Sequence, residues 1–153
     1  MSSTTRTDIG LLILRIAIGL TATYYGCQKL LGVFGGPGVK GTMDYMQHSY
    51  GIPPIMAILA MFAEFFGGLG MIVGLLTPVA AFGFACVMAV ATFENWKTPD
   101  LFQHVFTKAD AGDPVKVFYT FSLLGAALCL VLLGGGNYSL DAKVFGRKKK
   151  ATK

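Results

Sequence analysis

Apolar residues fill four stretches of the chain almost without interruption, about residues 9–33, 54–76, 78–95 and 117–134, and short polar segments separate them. A helix needs roughly 20 predominantly apolar residues to cross the hydrocarbon core of a bilayer, and the pattern therefore predicts four crossings. The third stretch is the shortest. Apolar residues resume directly after Thr77 and Pro78, which implies a tight turn, and Pro78 suits the first turn of a helix, where its missing N–H is not needed. The expected architecture is all-α: an integral membrane four-helix bundle. Composition agrees, since only 14% of residues are charged, against about 25% in soluble domains.

The connections add detail. The first, residues 34–53, opens with Gly35-Gly36-Pro37-Gly38, a turn signal. From Thr42 onward Met43, Met46 and Tyr50 recur at helical spacing, predicting a short helix lying along the outer interface with its apolar face down. Trp96, Phe102 and Phe106 in the third connection could form an aromatic belt at the same boundary. After the last stretch, residues 139–146 could make one interfacial turn, and residues 135–153 form a basic tail. Lys143, Arg147, Lys148, Lys149 and Lys150 dominate that tail. By the positive-inside rule this places both termini in the cytoplasm, with the bacterial inner membrane as the expected location. The net charge of +5 does not call for nucleic acid, because no nucleic-acid motif accompanies it. A juxtamembrane cluster of this size is held by anionic lipid at about 1 kcal/mol per charge. Arg6 ahead of an apolar run could begin a signal peptide, but the run exceeds the usual 7 to 15 residues and lacks a small-residue cleavage site. The segment is therefore expected to be retained. No second domain and no repeat is expected.

Polar residues inside the spans carry the functional question. A charged side chain in hydrocarbon costs roughly 2.5–3.5 kcal/mol on insertion scales and normally faces the bundle interior. At 100° per residue Arg15, Gly19, Ala22, Gly26 and Lys29 share a face of the first helix. Ala57, Ala60, Glu64 and Gly68 do so on the second, and Ala80, Gly83, Val87 and Glu94 on the third. Small residues beside the charges allow close helix approach. Depth along the spans predicts two ion pairs, Arg15 with Glu64 and Lys29 with Glu94. They can be read as fixing helix register, or as marking chemistry, because buried pairs contribute little net stability by themselves. Cys27, Cys86 and Cys129 form no Cys-x-x-Cys pair and are expected in the core. His48 and His104 lie in connections, so no transmembrane haem ligation and no metal site is expected.

The motifs resemble those of the DoxX family of small four-helix membrane proteins, related to the DoxD subunit of thiosulfate:quinone oxidoreductase. The resemblance rests on the run from Leu11 through Arg15 to Gly19 and on Gly26-Cys27-Gln28-Lys29. It continues through Gly35 to Gly38, Ala63-Glu64 with Gly67-Gly68, Thr77-Pro78, and Ser139-Leu140-Asp141-Ala142. It implies a four-helix bundle and, by association, quinone-linked or sulfur-linked electron transfer, without an agreed set of catalytic residues. The expected function is a membrane subunit of a quinone-linked oxidoreductase or respiratory-type complex, with no redox centre of its own. Quinone would then be the ligand, no cofactor would be bound covalently, and electrons would come from a protein partner. Tyr24, Tyr25, Gln28, Lys29 and Glu94 form the candidate quinone and proton site, since Lys, Gln and Tyr supply donors for quinone carbonyls. The alternatives are a non-catalytic accessory subunit of a larger membrane complex and a small transporter coupled through Glu64.

Overall fold

A computed structural model describes residues 3–96 and 113–145. The helices are α1 (Ser3–Gly26), α2 (Gly38–Tyr50), α3 (Pro54–Val73), α4 (Thr77–Trp96), α5 (Asp113–Leu133) and α6 (Leu140–Val144). α1 runs on into a π-helical turn, Cys27–Leu31, which Gly32 ends at φ 69°. Among the described residues, four helices are long and apolar enough to cross a membrane: Thr4–Leu31, Pro54–Val73, Thr77–Trp96 and Lys116–Leu133. Their exteriors are apolar, with Ile13, Leu20, Phe82 and Leu132 all exposed, as a surface bathed in lipid requires. The short first-connection helix is α2. Phe102, Phe106 and His104, and the tail from Arg147 through Lys150, lie outside the described residues.

α1 packs along α3, α3 along α4 and α4 along α5. Ile18, Ala22, Met71, Ala81, Phe84, Ala127 and Leu130 meet in the interior. The α1–α3 contact is glycine-mediated. A Cβ on Gly26 would lie 2.6 Å from the Phe65 Cα, one on Gly19 2.9 Å from the Gly68 carbonyl oxygen, and one on Gly68 would overlap Thr23. Without a strong hydrophobic drive between helices in lipid, such backbone proximity is a main source of association.

A polar lock closes the end of the bundle that holds both termini. Arg15 is 1% exposed, and its Nε donates to the Met71 carbonyl at 3.0 Å. Nη1 donates to Gly135 O at 2.7 Å, and Nη2 to Tyr138 O at 3.2 Å. One guanidinium thus satisfies a carbonyl in the last turn of α3, which lacks an intrahelical partner, and two more beyond α5. Gly74 makes room for it: at φ 73° it ends α3, and a Cβ there would meet the guanidinium. Asp141 adds the second contact. Its Oδ1 accepts from Leu76 N at 2.6 Å and its Oδ2 from Thr77 N at 2.8 Å, capping the start of α4. Asp141 N donates to Gly74 O at 2.8 Å. Asp8 accepts from the Asn137 backbone at 3.0 Å and side chain at 2.7 Å.

The expected Arg15–Glu64 pair does not form. Antiparallel packing sets Gly26 opposite Phe65, so Glu64 lies level with a point about 11 residues, or roughly 17 Å, along α1 from Arg15. That exceeds the reach of an arginine side chain. The cysteines also depart from expectation: Cys27 is partly buried, while Cys86 and Cys129 face outward.

Candidate functional site

The other end of the bundle holds a second polar cluster. The π turn places Lys29 over α3, and Nζ lies 2.7 Å from both Glu64 carboxylate oxygens. Glu64 is 1% exposed and the Lys29 side chain 24%. This is the second correction to the expected pairing: Lys29 engages Glu64, not Glu94. A π-helical turn is wider than an α turn, and such turns concentrate at functional sites. The glycine-rich connection holds this one in place. Gly36 packs so tightly on the Gln28 main chain that a Cβ there would overlap it. Gln28 Nε2 donates to Phe34 O at 3.3 Å and to the Tyr24 hydroxyl at 3.2 Å.

Beside the Lys29–Glu64 pair lies a cavity of about 960 Å³, with a mostly apolar wall. It lies toward the large end of the roughly 300–1,000 Å³ range of small-molecule sites. α1 and its π turn contribute Tyr25, Gln28 and Lys29 to the wall, α3 contributes Glu64, α4 Glu94 and Asn95, and α5 Lys116, Tyr119 and Thr120. The Tyr25 and Tyr119 rings are neighbours, tilted by 60° with centroids 6.4 Å apart. Thr92 Oγ1 donates to Thr120 Oγ1 at 3.0 Å, tying α4 to α5 beside the cavity. α2 forms the roof with Thr42, Tyr45, Met46 and Tyr50. Tyr45 and Tyr50 are joined through their hydroxyls at 3.0 Å.

Four of the five candidate site residues, Tyr25, Gln28, Lys29 and Glu94, line this cavity. Tyr24 does not; its ring stacks on Phe34 at 5.3 Å, on the outer side of the π turn. Glu64, expected opposite Arg15, lines the cavity instead. Tyr119 lies outside the candidate set because it directly follows a polar connection. Its signal was present nonetheless, as a tyrosine near the outer boundary of an apolar run, like Tyr25. His48 sits on the exposed side of the roof, its Nδ1 2.8 Å from Asp44 O. Among the described residues, no group of three His, Cys, Asp or Glu side chains could hold a metal ion. The arrangement offers a fixed cation, a buried carboxylate and two phenols facing an apolar chamber. That chemistry suits hydrogen-bonding the polar head of an otherwise apolar molecule.

A family model described as DoxX matches residues 10–95, a span that includes Arg15, the π turn, Glu64 and Glu94 but stops short of Tyr119. Over 137 residues the chain is 29% identical to the inner membrane protein YqjF of Escherichia coli (strain K12), covering 88% of this chain and 91% of that protein. No solved structure matches.

Proposed function

We propose that this chain, which belongs to the DoxX family of membrane proteins, is a membrane subunit that binds a quinone head beside Lys29 and serves a quinone-linked oxidoreductase. The observation that carries the reading is the Lys29–Glu64 pair set into the wall of a large apolar cavity. A pair kept only for stability needs no chamber beside it, and buried pairs are weak stabilisers.

The residues fit the group. An ammonium has three N–H donors, and two are engaged by Glu64, which leaves one for a ligand carbonyl. Glu64 acts as a positioning residue that fixes Nζ, and its carboxylate oxygens can hold a proton arriving at the site. Tyr25 and Tyr119 supply neighbouring hydroxyls, one from α1 and one from α5, and the α2 roof limits entry of water. A quinone, when bound, supplies a two-electron, two-proton couple. A protein partner would supply the electrons. The inner-membrane description of the relative and the basic residues after the last span support a bacterial inner-membrane location with cytoplasmic termini.

Binding of a short-tailed benzoquinone to the purified chain in nanodiscs, followed by calorimetry, tests this. Lys29→Met should weaken binding at least tenfold, and Tyr24→Phe should leave it unchanged. Equal affinity in wild type and Lys29→Met would remove the quinone reading and leave the non-catalytic accessory subunit as the better account.

A further inference from the structure

The cavity is not confined to the bundle interior. α3 and α4 leave their turn in close contact: a Cβ on Gly67 would meet the Ala80 carbonyl oxygen at 3.1 Å, and one on Gly83 the Ala63 Cβ at 3.5 Å. Continuing that antiparallel register places Ala60 level with Val87 and Met56 level with Val90. All four of these residues line the cavity, so beyond Ala63–Gly83 the empty space borders both helices. The same cavity is lined by Leu59 and Cys86. Leu59 is 57% exposed, Met56 55% and Val90 49%, and Cys86 is also exposed. These exposed positions border the same volume that touches Lys29.

We propose that the α3–α4 cleft is a lateral opening to the bilayer and holds the apolar tail of a lipid-soluble ligand whose polar head lies at Lys29. The inference rests on the quinone-head reading for the identity of the head, but not for the tail. Three features argue for one tailed occupant. At about 960 Å³ the cavity exceeds what a single ring fills, since drug-sized ligands fit pockets of about 300–1,000 Å³. The side between α3 and α4 is lined by the apolar residues Met56, Leu59, Ala60, Val87 and Val90, while the Lys29–Glu64 pair is set into the wall of the same volume. The cleft is also continuous with the chamber, so head and tail sites are joined. A ligand that partitions into lipid then enters sideways and need not pass the α2 roof.

Two measurements in proteoliposomes test the cleft. The first is photolabelling with two probes, a decyl benzoquinone and a fatty acid, each carrying a diazirine in the chain, with adducts located by mass spectrometry. Adducts should concentrate at Met56, Leu59, Cys86 and Val90. An even spread over lipid-facing positions such as Ile13 and Leu132 would overturn the proposal. The second is the ratio of affinities for the decyl and tail-less benzoquinones. Leu59→Trp/Val90→Trp should reduce that ratio at least tenfold, whereas Leu132→Trp on the far face should leave it at the wild-type value. An unchanged ratio in the cleft double variant would also overturn the proposal. If the fatty acid labels the cleft but the quinone does not, or if Lys29→Met leaves quinone affinity intact while cleft labelling persists, the quinone head is refuted and the tail site stands.

Discussion

Lys29→Met is the most informative single change, because it leaves a carboxylate that is 1% exposed without its cation. Removing one partner of a buried pair typically costs 3–5 kcal/mol, since the remaining charge stays desolvated. Lys29 is itself 24% exposed, and the adjoining cavity can admit some water, so the lower figure applies, about 3 kcal/mol. At 1.4 kcal/mol per decade that is a more than hundredfold rise in the unfolded fraction. Glu64→Gln should cost less, about 1 kcal/mol, because the lysine stem is flexible and its ammonium can turn into the cavity. Lys29→Met/Glu64→Gln removes both charges and should cost about as much as Glu64→Gln alone. The cycle then gives a coupling of about 3 kcal/mol, against the roughly 0.5 kcal/mol within which independent sites add. Reversible denaturation of the four proteins in mixed detergent micelles measures it. Additive single effects would show that the two side chains do not depend on each other, and the reasoning from their 2.7 Å contact would fail.

Arg15→Met should destabilise the fold by about 3 kcal/mol, since hydrogen bonds from charged donors contribute about 1.5–3 kcal/mol each and partial relaxation recovers some of that. Arg15→Lys should recover only part of it, because an ammonium cannot reproduce the planar fork, and both are read by the same denaturation assay. Asp141→Ala removes the acceptor for Leu76 N and Thr77 N and should cost about 1–2 kcal/mol, in the range of a lost N-terminal cap; loss below 0.5 kcal/mol would deny it that role. Gly26→Val should be worse than Gly10→Val. The former must displace the Phe65 backbone, whereas Gly10 has open space around it, and overpacking typically costs 1–3 kcal/mol. Equal melting temperatures for these two variants would refute the close α1–α3 approach.

The fold was legible because lipid imposes length and uniform apolarity on each crossing, and the runs around Ile13, Leu59, Phe82 and Leu132 carry that signal without ambiguity. Helical phase also identified the inward faces of α1 and α3, which hold Gly19, Gly26 and Gly68. Pairing was not legible. Phase gives direction around a helix but not register between helices, and register is set by where Gly26 meets Phe65 and Gly68 meets Thr23. Arg15 and Glu64 therefore faced the same interior at different depths. Phase arithmetic at 100° per residue also does not anticipate a π turn, against which Gly36 packs at Gln28. Backbone acceptors are the third blind spot: the partners of Arg15 are the carbonyls of Met71, Gly135 and Tyr138, and every residue type carries one.

The two polar layers divide the work between the ends of α3 and α4. At the terminal end, Arg15 holds the last turn of α3 and Asp141 holds the first turn of α4, so the tight turn between them is fixed from two other segments. Leu76 sits within that turn at φ 50°, a left-handed conformation that costs an ordinary residue about 1–2 kcal/mol and persists because Asp141 accepts its N–H. With the turn secured there, α3 and α4 need not touch along their full length, and beyond Ala63 and Gly83 both border the cavity. A bundle held together only by uniform helix contact could not open a chamber without losing association energy along the whole interface. Securing the turn at one end leaves the other end free to keep a cavity, with Lys29 of the π turn and Glu64 of α3 in its wall.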